Sequence, residues 1–551
     1  MAKGRLRAGF NFGGEAAEAD GLREEAFVSS GDYRTIESKT DHKCLLVGRT
    51  GAGKSAVLRR IEELYPDHCI RINPENLSLP YITNLQAIRY LDSLGINLDT
   101  FWQTLWRHVL LVEIVRHRYN VKSPEAKTNF LQNLRSRMQN DRTKQAALDY
   151  LNEFEGNFWC ETDERVREIT DKFAERVNSE VGAGFGAAGA SVKAGVGTAS
   201  EMSQEARFEQ VARFQRIVNE TQLARLNKMI DVLDDDILES PHHFTYVIID
   251  DLDKEWVDER VANDLIRCLF STVYSLQHVR NLKVVVALRT NIFQELDFGR
   301  RGGGQEEKFR ALVLEMRWTK SLLIELLDER ARAASRRDGV SINAFSELLP
   351  NANSTMGKPV DYILDRTLLR PRDALAFANE CFKVGAGKDR LAWVDIKTAE
   401  RAYSAGRVLA LRDEWKGTYP GIGEVLEKFR GAPARMDRDD LEARLDDVML
   451  LLSDENFEGV RWLTEVSSQM WEPGPSSEWE DLYQPLLRIL YRIGLLGASP
   501  PGRSAPVFFD DDPLFVEQKS NLSRAKYFYV ARTYHRGLEI QDAGDRKAGN
   551  D

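Results

Sequence analysis

The sequence predicts an α/β fold: a parallel sheet flanked by helices, with a long helical insertion, a helical lid and a small C-terminal domain. Three observations predict it. Short apolar runs at 43–47, 69–72, 244–249 and 282–288 alternate with stretches whose apolar residues recur three or four apart, the mark of strands alternating with helices. The first run leads straight into a Gly-rich octapeptide that opens a helix. Two later runs end in Asp-Asp and in Arg-Thr-Asn, and in an open α/β sheet ligands sit beyond the carboxyl ends of the strands.

Taken in order, residues 1–41 are polar, contain glycine and show little pattern. Lys43-Cys-Leu-Leu-Val47 predicts the first strand and 55–64 the helix after it. Cys69–Ile72 predicts a second strand, stopped by Asn73-Pro74. From 84 to 240 the periodicity is helical. A Trp-, Leu- and Val-rich buried helix is predicted at 99–119, with amphipathic helices at 141–155 and 163–180. The longest covers 203–238, where Val211, Phe214, Val218, Leu226, Met229, Leu233 and Ile237 share a face. This block reads as an insertion or arm. Within it, 181–200 is mostly Gly and Ala with one charge, Lys193. Its few large apolar side chains favour a loop or glycine-rich hairpin over a membrane-touching or inter-subunit element.

Strands return at 244–249, 282–288 and 309–316, with helices over 258–277 and 319–336. Residues 357–412 and 438–468 are helical, 471–479 is a linker, and 481–540 forms a last small unit. The expected domains are an N-terminal segment 1–41, a core from 42–83 and 241–336, the insertion 84–240, a lid 337–415, a C-terminal helical domain 416–540 and a polar tail 541–551.

A chain of 551 residues suggests roughly three or four domains. Its 76 basic and 86 acidic residues leave a formal charge of −10, so any contact with nucleic acid must be local. Five cysteines are scattered without metal or redox spacing, which fits the reducing cytoplasm. The basic N-terminus lacks the apolar stretch of a signal peptide, and no run is long and apolar enough to promise a membrane span. The histidines show no metal-ligand spacing, and Trp102, Trp106 and Val109 at helical spacing read as core.

Gly48-Arg49-Thr50-Gly51-Ala52-Gly53-Lys54-Ser55 matches the phosphate-loop pattern G-x-x-x-x-G-K-[ST] in full, after a strand and opening a helix. Its glycines let successive N–H groups curve around phosphates, and the helix N-terminus adds its positive dipole end. Lys54 is expected to reach the β- and γ-phosphates and the Ser55 hydroxyl to ligate Mg²⁺. Val247-Ile-Ile-Asp250-Asp251-Leu-Asp253 supplies the acids such a site needs. Asp250 is expected to hold Mg²⁺ through water, and Asp251 to polarise the attacking water. Asp253 is either a helix cap or an outer ligand. At the next strand end, Arg289 or Asn291 is placed to face the γ-phosphate; the alternative for Arg289 is a surface residue. Leu369-Arg370-Pro371-Arg372-Asp373 starts a helix. From it Arg370 or Arg372 reaches the nucleotide, or pairs with Asp373. Lys54, Asp251 and Arg289 thus form the expected catalytic set.

Together the GRTGAGKS loop, the VIIDDLD strand, the ALRTN strand end and the LLRPRDAL helix start resemble the STAND and KAP-type branch of the AAA+-related P-loop NTPases. The resemblance covers 42–80 and 240–390 well and the C-terminal unit loosely. It implies ATP as the nucleotide, Mg²⁺ as cofactor and a conformational switch. It also implies a homo-oligomer with an arginine supplied by a neighbour, for which Arg300, Arg301 and Arg317 are candidates. Arg289 and Pro371-Arg372 match an arginine at the strand end and a Pro-Arg element in the lid. Bacterial relatives with this layout often serve anti-phage defence, which implies a separate effector protein as partner. KAP-type members often insert membrane helices where this chain has 84–240, but this segment lacks proper spans.

The order of helix, turn and strand over 481–540 resembles a winged helix. Arg488, Arg492, Arg503, Lys519, Arg524, Lys526, Arg532 and Arg536 outnumber Asp510, Asp511, Asp512, Glu517 and Glu539 there. Such a unit either packs against its own ATPase core or contacts DNA. The alternatives to an ATPase switch are therefore a DNA-dependent motor or loader, and a nucleotide-binding scaffold with little turnover.

Overall fold

The computed structural model describes residues 5–77, 86–119, 223–252, 259–296 and 306–541, save isolated positions and 472–477, together with scattered positions between 132 and 216. The expected segment 181–200, most of the helices at 141–155, 163–180 and 203–222, Asp253, Arg300, Arg301, Arg503 and the tail after 541 lie outside the described residues.

The chain divides into two compact units. One comprises Ser29–Arg49 and Lys54–Arg317, the other Met1–Val28, Thr50–Gly53 and Trp318–Asp551.

The first unit is built on five parallel strands: β1 (Leu45–Gly48), β2 (Cys69–Ile72), β3 (Thr245–Ile249), β4 (Leu282–Arg289) and β5 (Val313–Glu315), in the order β2-β3-β4-β1-β5. Strands β1 and β3 are buried at every position and β4 at all but its last. That is why their sequences read as near-continuous apolar runs, interrupted in β4 by Lys283, rather than alternating ones. The helices Lys54–Leu64, Asp99–Tyr119 and Glu259–Leu276 accompany them. The expected strand over 309–316 is corrected: a helix, Glu306–Leu312, fills its first half, and only Val313–Glu315 is extended. Phe309 and Leu312, both buried and three apart, belong to that helix's inner face.

The described ends of the expected insertion are not an arm. Helices Gln86–Ser93, Asp99–Tyr119 and Leu223–Val232 share one continuous core with β2, β3 and β4. Trp106 lies in that core, and its Nε1 donates to Leu265 O at 3.0 Å, tying helix Asp99–Tyr119 to helix Glu259–Leu276. Arg267 caps the contact through Asp99, Nη1 to Oδ2 at 2.8 Å. The expected face of 203–238 holds for Leu226, Met229, Leu233 and Ile237, all buried. The α-helix passes into a π-helical turn over Leu233–Ile237.

Lys283 is a buried cation in β4 whose ammonium donates to two backbone carbonyls, Thr35 O at 3.1 Å and Ser38 O at 2.5 Å. Burial pushes its pKa down from 10.5 to about 8, against the opposing pull of Cys44, Asp41 and Glu37. The unfolded chain therefore binds this proton more tightly than the folded one. The group's penalty is full below about pH 8 and fades as pH rises toward 10.5. Comparing wild type with Lys283→Met by chemical unfolding at several pH values is expected to show wild type gaining on the variant across that window. A stability difference independent of pH would contradict the placement of the charge.

In the second unit the N-terminal segment, featureless in sequence, is part of a core. Leu6, Phe10, Phe12, Leu22, Ala26 and Val28 are buried against helices Lys320–Asp338 and Pro371–Val384. Phe12 packs edge-on against Phe345 and Phe382, with ring centroids 5.5 and 4.6 Å apart. Asn379 fastens the same stretch, accepting from Phe12 N at 2.8 Å and donating to Gly13 O at 3.0 Å. Arg330 pairs with Asp20, Nη2 to Oδ2 at 2.6 Å, both almost fully buried. Gly13, at φ 93°, is required there: a Cβ would fall 2.2 Å from Asp20 Oδ1.

A separate core gathers Leu411 to Ile540. It packs helices Arg438–Met449, Val460–Trp471 and Trp479–Arg492 with a small antiparallel sheet. The sheet's strands β6 (Arg435–Met436), β7 (Leu496–Ala498) and β8 (Phe528–Val530) run in the order β6-β8-β7. The expected helical stretch 438–468 holds two helices, parted by a short 3₁₀ turn and a bend over 450–459. Gly494, at φ 82°, turns the chain after helix Trp479–Arg492.

Candidate functional site

Parallel strands bring their carboxyl ends to one edge, so the topology alone gathers Gly48, Asp250 and Arg289 there. Gly48 and Arg289 are register partners on neighbouring strands. Strand β4 separates β1, which carries the phosphate loop, from β3, which carries the acids.

Lys54 is the first residue of helix Lys54–Leu64, with Ser55 the second. Its Nζ donates to Gly48 O at 2.7 Å and Arg49 O at 3.2 Å. Gly51 and Gly53 take φ of 81° and 96°, left-handed values that glycine adopts freely and that an anion nest of N–H groups uses. By its contacts, the tip Thr50–Gly53 belongs to the second unit.

Asp250 follows β3 directly and is 7% exposed. Its Oδ1 accepts from Asp251 N at 3.0 Å. Asp251 sits at φ 60°, a strained position for a residue with a Cβ and of the kind that clusters at functional sites. Arg71 of β2, absent from the sequence expectations, joins them. Its Nη1 lies 3.7 Å from Asp250 Oδ2, and its Nε and Nη2 grip Glu62 at 2.7 and 2.9 Å. The available signal was a lone arginine inside the apolar alternation Cys-Ile-Arg-Ile. Burial lowers its pKa, but Glu62 and the two aspartates outweigh this and hold the guanidinium firmly charged.

Arg289 ends β4, and Asn291 lies in the first turn of the short helix Thr290–Glu295, partly exposed. Arg317 is exposed and rests on Glu315.

Within the second unit, Arg370 makes the helix-start pairing that was one of its two expected roles: Nε to Asp373 Oδ2 at 2.9 Å. Its Nη1 also donates to Thr50 O at 3.1 Å and lies 3.6 Å from Glu414. Arg372 N donates to Gly51 O at 3.4 Å, while its Nε donates to Glu15 O at 3.3 Å. Both arginines therefore contact the phosphate loop through its backbone.

The donor set suits Mg²⁺. A serine hydroxyl and a carboxylate are hard oxygen ligands, and a cation that keeps several waters needs only one or two from the protein. Asp250 retains unshared lone pairs beyond its bond to Asp251 N. Among the described residues no helix is long and apolar enough to cross a membrane, and no cluster of three or more His, Cys, Asp or Glu side chains could hold a metal by itself.

Residues 321–412 match the family described as the FunZ-associated C-terminal helical domain. The chain is 21% identical over 440 residues to the putative transposon gamma-delta 80.3 kDa protein of Escherichia coli strain K12. That alignment takes in 76% of this chain and 53% of the relative, so the chain spans about half the length of the curated relative it matches. Among solved structures it is similar to a Walker-type ATPase of Pyrococcus abyssi, at 12% identity, covering 94% of this chain and 97% of that one with a TM-score of 0.36. The ORC1 protein of Aeropyrum pernix in complex with DNA gives 12% identity, coverage of 94% and 90%, and a TM-score of 0.28.

Proposed function

We propose that the chain is a Mg²⁺-dependent P-loop ATPase working as a conformational switch. The observation that carries this reading is the complete phosphate loop on β1, with Lys54 opening the helix and Asp250 at the carboxyl edge of the same parallel sheet. The loop amides and Lys54 bind the phosphates of ATP. Ser55 and Asp250 hold the metal, which neutralises charge developing on the phosphates when bound. Asp251, its carboxylate set by the left-handed backbone, orients the attacking water. Arg289 or Asn291, at the carboxyl end of β4, would face the γ-phosphate.

A homo-oligomer would complete the charge balance with an arginine from a neighbour, Arg317 being the described candidate. A strict monomer with full turnover would exclude that part. The anti-phage role and its effector rest on the sequence resemblance alone.

The test is phosphate release from MgATP by the purified chain, with and without duplex DNA. Turnover indifferent to DNA supports the switch. Stimulation by DNA favours the motor reading. Binding without turnover leaves a nucleotide-gated scaffold. The DNA reading draws on the basic residues of the C-terminal domain, of which Arg488, Lys519 and Arg532 already face Glu517, Asp481 and Asp365.

A further inference from the structure

Three consecutive carbonyls at the tip of the phosphate loop, itself part of the second unit, each meet a donor of that same unit. Thr50 O accepts from Arg370 Nη1 at 3.1 Å, Gly51 O from Arg372 N at 3.4 Å and Ala52 O from Trp318 Nε1 at 2.7 Å. The three donors come from two places far apart in sequence, an indole and the start of helix Pro371–Val384. Two further features fit the loop to them. Gly51 lies so close that a Cβ there would sit 2.9 Å from Arg372 Cβ. Leu369, immediately before Arg370, takes φ 47°, a strained value for a branched side chain that the surroundings must over-determine.

We infer that Trp318 and Arg370 are positioning residues for the phosphate loop: they hold its tip carbonyls outward and so keep its N–H groups turned toward the phosphates. In a nest the carbonyl and the amide hydrogen of each peptide point to opposite sides. Fixing the carbonyl side prepays the ordering that phosphate binding would otherwise have to supply. Arg370 is itself fixed. Asp373 holds it and is held in turn by Arg407 Nη1 at 3.0 Å, which reaches on to Glu15 at 3.2 Å. This role for Arg370 differs from a direct contact with the γ-phosphate, and Trp318 acts through its indole bond to Ala52 O. The inference rests on the ATP reading only where affinity is measured; the order of the loop is a property of the free protein.

The experiment compares wild type, Trp318→Phe and Lys54→Ala. Phenylalanine keeps the ring and withdraws the one donor. Two quantities are read: amide hydrogen exchange of a peptide spanning 49–54 without nucleotide, and the Kd for a non-hydrolysable MgATP analogue. Trp318→Phe is expected to exchange about fivefold faster in that peptide and to bind about fivefold more weakly, the worth of one neutral hydrogen bond. Its KM for MgATP rises alike, with kcat unchanged, as for a loss of uniform binding. Unchanged loop exchange and unchanged Kd overturn the inference. Faster loop exchange in a chain whose wild type binds no analogue overturns the ATP reading and leaves the positioning role standing. Should Trp318→Phe fail to fold, Arg370→Lys gives the same two readouts, since it keeps the charge against Asp373 but gives up the fork that spans Asp373 and Thr50.

Discussion

Replacing Lys54 by alanine is expected to lower MgATP turnover by about 10²–10³-fold, the cost of losing one charged group aimed at the transition state. The position argues for the size. Lys54 opens its helix and its Nζ is turned back onto the carbonyls of Gly48 and Arg49, so it stands at the loop's mouth before any nucleotide arrives. Its ammonium bonds to carbonyls of its own loop, so the thermal midpoint of the variant should stay within a few degrees of wild type. Phosphate release and a melting curve on the same preparation check both halves. A variant that turns over ATP like wild type would place the activity somewhere other than this loop.

The largest loss of stability is expected from Asp373→Ala. Asp373 is 1% exposed and takes both Arg370 and Arg407, at 2.9 and 3.0 Å. Burial by itself pushes its carboxyl pKa up, but the two guanidiniums together pull it below the usual carboxylate range. Removing it leaves two buried cations sharing what Glu414 and Glu15 supply, and breaking a buried pair in this way costs about 3–5 kcal/mol. Chemical denaturation of the full chain measures it. The sign of the pH dependence follows from the same pairing. A carboxyl depressed in the folded state stabilises fully above its unfolded pKa, and that stabilisation drains away as pH falls through the folded value. Wild type should therefore lose more stability than Asp373→Ala below pH 4. An alanine variant within 1 kcal/mol of wild type would mean the cations relax into solvent.

The sheet and the phosphate loop were legible because both-sided burial writes a strand as an apolar run with a sharp end. β1, β3 and β4 fell where those runs fell. β5 was blurred because three extended residues carry no periodicity, while Phe309 and Leu312 just before it already followed the helical one. The N-terminal segment was opaque for another reason. Phe10 and Phe12 stand among glycines and charged residues, and the rings that bury them, Phe345 and Phe382, lie more than 300 positions away. No local pattern reports a partner at that distance. Arg71 shows the same limit at the candidate site: its identity was visible, but that β2 lies beside β3 and so within reach of Asp250 was not. The outcome at Arg370 is subtler. Its pairing with Asp373 was one of two readings open in sequence, and the geometry adds a third contact, a backbone carbonyl of the loop, that residue identities do not encode.

The strand order also dictates a timetable. β2 and β3 are neighbours in the sheet, yet about 170 residues of chain separate Ile72 from Thr245. A ribosome adding about 5–20 residues per second needs roughly 10–30 s to cross that interval. Throughout it β1 and β2 have emerged without their sheet partners, since among the described residues β1 pairs with β4 and β5 and β2 with β3. The apolar run Leu45-Leu46-Val47 spends that time without its strand partners in the nascent chain. Slower translation lengthens the exposure, so the yield of folded protein should respond to chaperone supply during synthesis more than to the stability of the finished sheet.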